Sequence, residues 1–372
     1  MKQDLVLRQF RLPDGTAVDL TIKQGLIAGI HAAGTAPSGG RTLEGEGRLY
    51  VSSGWIDLHV HAFPEWEPYG DSLDEIGVGC GCTAVVDAGS CGADRIDDLA
   101  ASRDGAHTRL LAFLNVSRIG LRRTDELSRL EWIDREVALA AARRHPDFVI
   151  GLKARISGSV VGDNGTEPLR LAVSLAEELG LPIMTHIGSA PPSIDEVLPL
   201  LRSGDVVTHY LNGKANNLFD GDGRPLPVLT DAIARGVQLD VGHGTASFSF
   251  ETAEQARQSG VFFDTISTDI YRGNRLDGPV YGMANVLTKF LSLGYSLPEV
   301  IGAVTARPAA WLKRPELGRI QIGDPANLTV FSLENKSSAL TDSEGISRTA
   351  KQTLQAEGVV VNGQYLACRV RA

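Results

Sequence analysis

Between residues 55 and 311, short apolar runs alternate with longer amphipathic stretches, and this alternation limits the possible folds more than any other feature. Eight runs read as strands: WIDLHVH, CTAVVDA, RLLAFLN, FVIGLKA, LPIMTH, DVVTH, VQLDVG and VFFDTISTD. The segments between them carry helical periodicity, most clearly ELSRLEWIDREVALAAARR, EPLRLAVSLAEELG and VYGMANVLTKFLSLG. Strands separated by helices run parallel, because each helix carries the chain back to the same end of the sheet. Eight such units over roughly 250 residues predict a (β/α)8 TIM barrel, an α/β fold.

The ends of the chain have a different texture. LVLRQFRL, AVDLTIKQGLIAGI and TLEGEGRLYV at one end, and ANLTVFSL through AEGVVVNGQYLACRV at the other, read as strands and turns. The simplest assembly joins both ends into one small β-sandwich domain, 1–52 with 317–372, beside a barrel at 53–316. The polar stretch 334–351 reads as a surface excursion.

Charge and composition remove several function classes. A net charge of −9 argues against a nucleic-acid surface, which needs a basic stripe. No apolar run approaches the ~20 residues of a membrane span. The opening MKQDLVLRQFRLPDG has neither a long apolar core nor a small-residue cleavage site, so no signal peptide is expected. Cys80, Cys82, Cys91 and Cys368 lack zinc-ribbon spacing and suggest packing rather than disulfides. A cytoplasmic protein is the default expectation.

Chemistry concentrates at the C-terminal ends of the strands, where barrel active sites sit. His59 and His61 are two apart in one strand and share a face. Two neutral imidazoles so placed can bind a transition metal. HxH alone is weak evidence, but His186 closes LPIMTH, His209 closes DVVTH and Asp269 closes VFFDTISTD. His31, His107 and His145 fall in loops or at helix ends and read as surface residues. Lys153, near the end of FVIGLKA, points into a barrel that disfavours an isolated ammonium. Either it pairs with a carboxylate or reaches solvent, or its desolvated amine becomes neutral and takes up carbon dioxide as a carbamate. The neighbouring histidines and aspartate favour the carbamate.

This set resembles the amidohydrolase superfamily in its two-metal, carbamylated-lysine form, and nearest the dihydroorotase-like deacetylase subgroup. The order matches over nearly the whole chain: HxH after strand one, lysine at four, histidines at five and six, aspartate at eight. The resemblance implies two divalent ions, with zinc suiting the donors. It assigns His59, His61 and Asp269 to the more buried ion, His186 and His209 to the more exposed one, and Lys153 as the bridge. It also implies attack by a bridging hydroxide, with Asp269 as the catalytic proton carrier. Ser53 and Asn327 depart from the family's usual proline and aspartate, away from the metal ligands.

The resemblance further implies a small-molecule substrate, an α-hydroxy or α-amino carboxylate carrying an acetyl-like group. The supporting stretches are GLKARIS, GHGTASFSF and TISTDIY. An α-carboxylate needs a cation. Arg155 shares the Lys153 face if the strand persists, or else pairs with a loop acid. His243, between two glycines, either orients the leaving group or caps a turn. Tyr210 and Asn212, and with them Asn115 and Tyr271, are further candidates for the pocket lining. Dihydroorotases commonly carry an arginine two residues after HxH, where this chain has Phe63. That counts against dihydroorotate, although a cyclic amidase remains the alternative activity. A catalytically silent barrel would be expected to have lost ligands. A homo-oligomer is compatible with the fold.

Overall fold

In a computed structural model, which describes residues 4–37 and 39–369, seven parallel strands form one curled sheet. They are Trp55–Val60, Cys82–Ala88, Arg109–Asn115, Val149–Ile156, Ile183–Ile187, Val206–Thr208 and Gln238–Asp240. Each pairs with the next in chain order. Helices on the outside supply the crossovers. Glu167–Leu179 shows how: Leu169, Ala172, Leu175 and Ala176 form its buried stripe, and Gly180 ends it in the left-handed conformation.

The eighth run differs from expectation. VFFDTISTD is not a regular strand. Isolated parallel bridges join Thr265 to Asp240 and Ile270 to Val60, and Asp269 N donates to His59 O at 2.7 Å. The segment therefore spans the gap between the seventh strand and the first. Two features break its ladder. Ile266 N turns to Ala303 O, and Asp269 takes a left-handed φ of 52°.

Two bulges set which residues face inward. Ile56 and Leu58 pack with Ala84, Val86, Phe113 and Met184 in the floor of the barrel. Strict alternation would then point His59 outward. The register slips between Asp57 and Val60 against the second strand, and His59 and His61 turn into the mouth. A second slip, where Ala112 pairs with Val149 but Phe113 with Gly151, resets the fourth strand ahead of Lys153.

Both chain ends meet in one eight-stranded sheet. Leu5–Arg11, Ala17–Lys23, Leu26–Ala32, Arg41–Glu44 and Tyr50–Ser53 combine with Leu328–Glu334, Thr353–Val361 and Gln364–Ala367. The expected sandwich would have two separate sheets. Here hydrogen bonds connect all the strands, because Leu328–Glu334 pairs with Tyr50–Ser53, and Arg11 pairs with Tyr50. Nor is 334–351 a bare excursion. It contains the hairpin Ser338–Thr341 with Ser347–Ala350, whose Leu340 and Ala350 are buried. The Asp342 carboxylate in its turn accepts from Phe250 N at 3.0 Å. Among the described residues no helix is long and apolar enough to cross a membrane.

Candidate metal centre

Six side chains anticipated from sequence converge at the C-terminal mouth of the barrel. Asp269 Oδ1 lies 3.3 Å from His59 Nε2 and 3.1 Å from His61 Nε2. Lys153 Nζ is 3.2 Å from His59 Nε2. The His209 ring is 5.0 Å from that of His59 and 4.5 Å from that of His186, centroid to centroid. His209, like Asp269, has a left-handed φ, here 70°. Such conformations are uncommon outside glycine, and these two swing side chains inward just where ladder pairing ends.

Groups behind the histidines fix which nitrogen faces the centre. His59 Nδ1 lies 2.9 Å from Thr208 Oγ1, and the Thr208 hydroxyl donates to Asp240 Oδ2 at 2.8 Å. With that proton spent, the hydroxyl accepts from His59 Nδ1–H, so Nε2 carries only a lone pair. His209 Nδ1 donates to the Gly242 carbonyl at 2.6 Å, which leaves its Nε2 bare as well. His61 Nδ1 meets Ser90 Oγ at 2.8 Å, and Asp87 holds Ser90 N at 2.7 Å. Gly242 sits at φ +48°, and a Cβ there would strike Thr208 Oγ1 and His209.

The electrostatics suit a cation. Burial pushes His59 and His186 well below the ordinary imidazole range and His209 down to about 3. Burial alone would raise Asp269. The hydrogen bond and charge of His61, with His209 and Lys153, outweigh it and hold the carboxyl below its usual value. An unprotonated His59 Nε2 thus faces a carboxylate oxygen, lone pair against lone pair. A divalent ion between them satisfies both, and one donor atom each from His59, His61 and Asp269 lie within 4.8 Å of one another.

Lys153 is buried, and among the described residues no carboxylate comes within ion-pairing distance of its amine. Its other close contact is Met184 Sδ at 3.4 Å. Burial pushes the amine down to about 7, against the pull of Asp269 and Asp240. Gly89, at φ +81°, makes room for it: a Cβ there would lie 2.6 Å from Lys153 Cβ.

The remaining candidates separate. Arg155 lines the cleft but bonds Glu126, with NH1 3.2 Å from a fully buried carboxylate. Tyr271 also lines it and shares a 2.7 Å hydrogen bond with Thr245. Three other substrate-binding candidates sit behind the cleft wall, with side chains engaged in the scaffold. Tyr210 is buried in the apolar core. Asn212 ties His209 O to Lys214 N. His243 lies between Lys289 Nζ at 2.8 Å and Gly244 O at 2.9 Å. Asn115 is likewise structural, bonding Gly89 O and Ser117 N. Burial drives the Cys80, Cys82 and Cys91 thiols upward, away from reactivity.

Sequence reasoning missed Asp57, Asp87 and Asp240. Asp57 accepts from Thr268 Oγ1 at 2.5 Å and from the backbone of Thr268 and His59, and so ties the first strand to the closing segment. Burial, against those hydrogen bonds, pushes its carboxyl up to about 7. Each of the three aspartates stands inside an otherwise apolar run, and that was the available signal. Lys214, also missed, sits on the cleft wall.

A parallel barrel with imidazoles and carboxylates gathered at its C-terminal mouth defines a class: hydrolases that work at a metal centre. No family model matches the chain. It is 40% identical over 366 residues to a protein of Enterococcus faecalis named deacetylase, covering 98% of this chain and 99% of that one. A solved structure described as an adenine deaminase superposes with a TM-score of 0.94 at 40% identity, covering 98% and 100%. Another, described as a dihydroorotase, gives 0.88 at 32% identity, covering 98% of each chain. The chain belongs to the amidohydrolase superfamily, and it is a hydrolase.

Proposed function

We propose that this protein removes an acetyl-like group from an α-hydroxy or α-amino carboxylate, with two divalent ions, zinc by preference, held by His59, His61, Lys153, His186, His209 and Asp269. The observation that carries the reading is the buried Lys153 amine, with no carboxylate at ion-pairing distance among the described residues, set among imidazoles whose bare nitrogens face one volume. A neutral amine adds through its nitrogen to the carbon of carbon dioxide and releases one N–H proton to solvent, so a side chain that is ordinarily a cation becomes an anionic carbamate with two donor oxygens. The name deacetylase, borne by the E. faecalis relative, supports the acyl specificity. This reading places eight barrel positions in 53–316 and a sheet domain in 1–52 with 317–372.

Bound ions supply positive charge that polarises a carbonyl and lowers the pKa of water. The chain's own groups do the rest. Asp269, held ionised beside His61, accepts the proton of the attacking water as its oxygen bonds the acyl carbon. It then returns that proton to the departing oxygen or nitrogen. Thr208, Ser90 and Gly242 keep the imidazoles oriented throughout.

Metal content per chain tests the centre, on protein produced with zinc and bicarbonate beside Lys153→Ala. Two ions in the parent and one or none in the variant are expected. One ion in both would make Lys153 structural. Acid release from a panel of acetylated 2-hydroxy and 2-amino carboxylates then tests the reaction, and silence across the panel would rule out the acyl reading.

A further inference from the structure

A carboxylate next to the scissile bond needs a positive charge that nothing in the protein already neutralises. Arg155 is the obvious cation on the cleft wall, but it is matched. Its NH1 lies 3.4 and 3.2 Å from the two oxygens of Glu126, a carboxylate with no solvent contact. The Arg155–Glu126 pair contributes no net charge. Lys214 stands on the same wall, in the loop after His209, and lines the same cleft of about 220 Å³. Among the described residues its ammonium has no hydrogen-bond or ion-pair partner. The Glu344 carboxylate lies against the neighbouring Gly213 but makes no ion pair with Lys214. His186, His209 and Asp269 line that same cleft, so the Lys214 charge stands beside the centre. The loop is also fixed. Asn212 Oδ1 accepts from Lys214 N at 3.1 Å, while Asn212 Nδ2 donates to His209 O at 2.9 Å. The backbone that carries His209 therefore also carries Lys214.

We infer that Lys214, not Arg155, is the residue that selects for an anionic substrate, receiving the carboxylate beside the acyl group that His186 and His209 face. Ser157, Ser159 and Ser189 line the same cleft and offer neutral hydrogen-bonding groups. The inference rests on the proposed deacylation and narrows it: the preferred substrates are monoanions small enough to span Lys214 and the centre, and their neutral amides are poor.

The test uses metal-loaded protein and two matched substrates, an O-acetyl 2-hydroxy carboxylate and its carboxamide. Lys214→Met keeps the stem and removes the charge. It is expected to lower kcat/KM on the carboxylate about 30- to 100-fold, mostly through KM, and to leave the carboxamide unchanged. Lys214→Arg should recover much of the loss. Arg155→Met combined with Glu126→Gln removes the neutral pair without stranding a buried charge, and should not change the ratio between the two substrates. Selective loss in that double variant, or equal loss on both substrates in Lys214→Met, would overturn the assignment. A calorimetric titration with the free 2-hydroxy carboxylate and its amide separates this inference from the reaction. If no ester turns over but the carboxylate still binds better than the amide, and only with Lys214 intact, the deacylation reading fails and the anion site stands. Equal binding of the two by parent and variant removes the anion site.

Discussion

Asp240 shows how a single buried carboxylate organises a metal centre it does not touch. It accepts from Thr208, Thr265 and Ser267 at 2.8, 2.7 and 2.6 Å. Burial pushes its carboxyl up while these three hydrogen bonds pull it down. Asp240→Asn puts an amide donor where a hydroxyl must donate. The expected cost is about 1–3 kcal/mol in urea unfolding of metal-free protein. Metal affinity should also fall about 10- to 100-fold in a competition titration, through Thr208 and His59. Lys289 gives a pH prediction. Its amine is buried against His243 and the Pro279 carbonyl, and burial pushes it from 10.5 down to about 7. Between these values the unfolded chain binds the proton that the folded one has shed, so stability rises with pH. Relative to Lys289→Met, the parent should gain stability from pH 7 to 10, at a slope no steeper than about 1.4 kcal/mol per unit. A flat difference would mean that the amine stays protonated in the fold.

At the scale of the element, the strands matter less for their regularity than for where it fails. The bulge between Asp57 and Val60, the slip before Lys153 and the left-handed residues His209 and Asp269 each redirect a side chain into the mouth. Gly89 is the matching relief in the second strand's loop. Gly89→Ala would strain a residue at φ +81° and press on the Lys153 stem. About 1–3 kcal/mol of destabilisation is expected in chemical unfolding, with a lower metal count than the parent. A normal metal count in a stable variant would show that Lys153 has room to move.

For the whole molecule, the question is how a sheet built from both chain ends is joined to the barrel. Thr329, in the returning strand Leu328–Glu334, accepts from Trp55 N at 3.0 Å and donates to Gly81 O at 2.8 Å. One hydroxyl thus connects the C-terminal strand to the start of the first barrel strand and to the approach of the second. Thr329→Val keeps the shape and strands both backbone groups in a buried place. We expect a loss of about 2–4 kcal/mol, seen as a lower urea midpoint. Activity of the folded fraction should be unchanged, because the substitution lies far from the mouth. Loss of activity without loss of stability would contradict the purely structural role.

The sequence determined the residue types and their order. Histidine, lysine and aspartate at strand ends, inside apolar runs of strand length, were legible because period-2 patterning and burial leave few other places for such groups. Matching strand and turn texture on either side of the barrel made pairing of the two chain ends the simplest assembly, and the strand pairing itself is a tertiary fact. Tertiary structure decided the rest. Alternation alone puts His59 on the face opposite Ile56 and Leu58, and only the bulge against the second strand reverses that, which is a property of two strands and not of one. It also decided that Arg155 is matched by Glu126, that Tyr210 packs in the core and that the Lys214 ammonium, among the described residues, has no hydrogen-bond or ion-pair partner. Whether a charge is free depends on what folds beside it, and Glu126 lies 29 residues from Arg155 in sequence. A side chain's chemistry is local, but the charge it presents to a substrate is set by the packing around it.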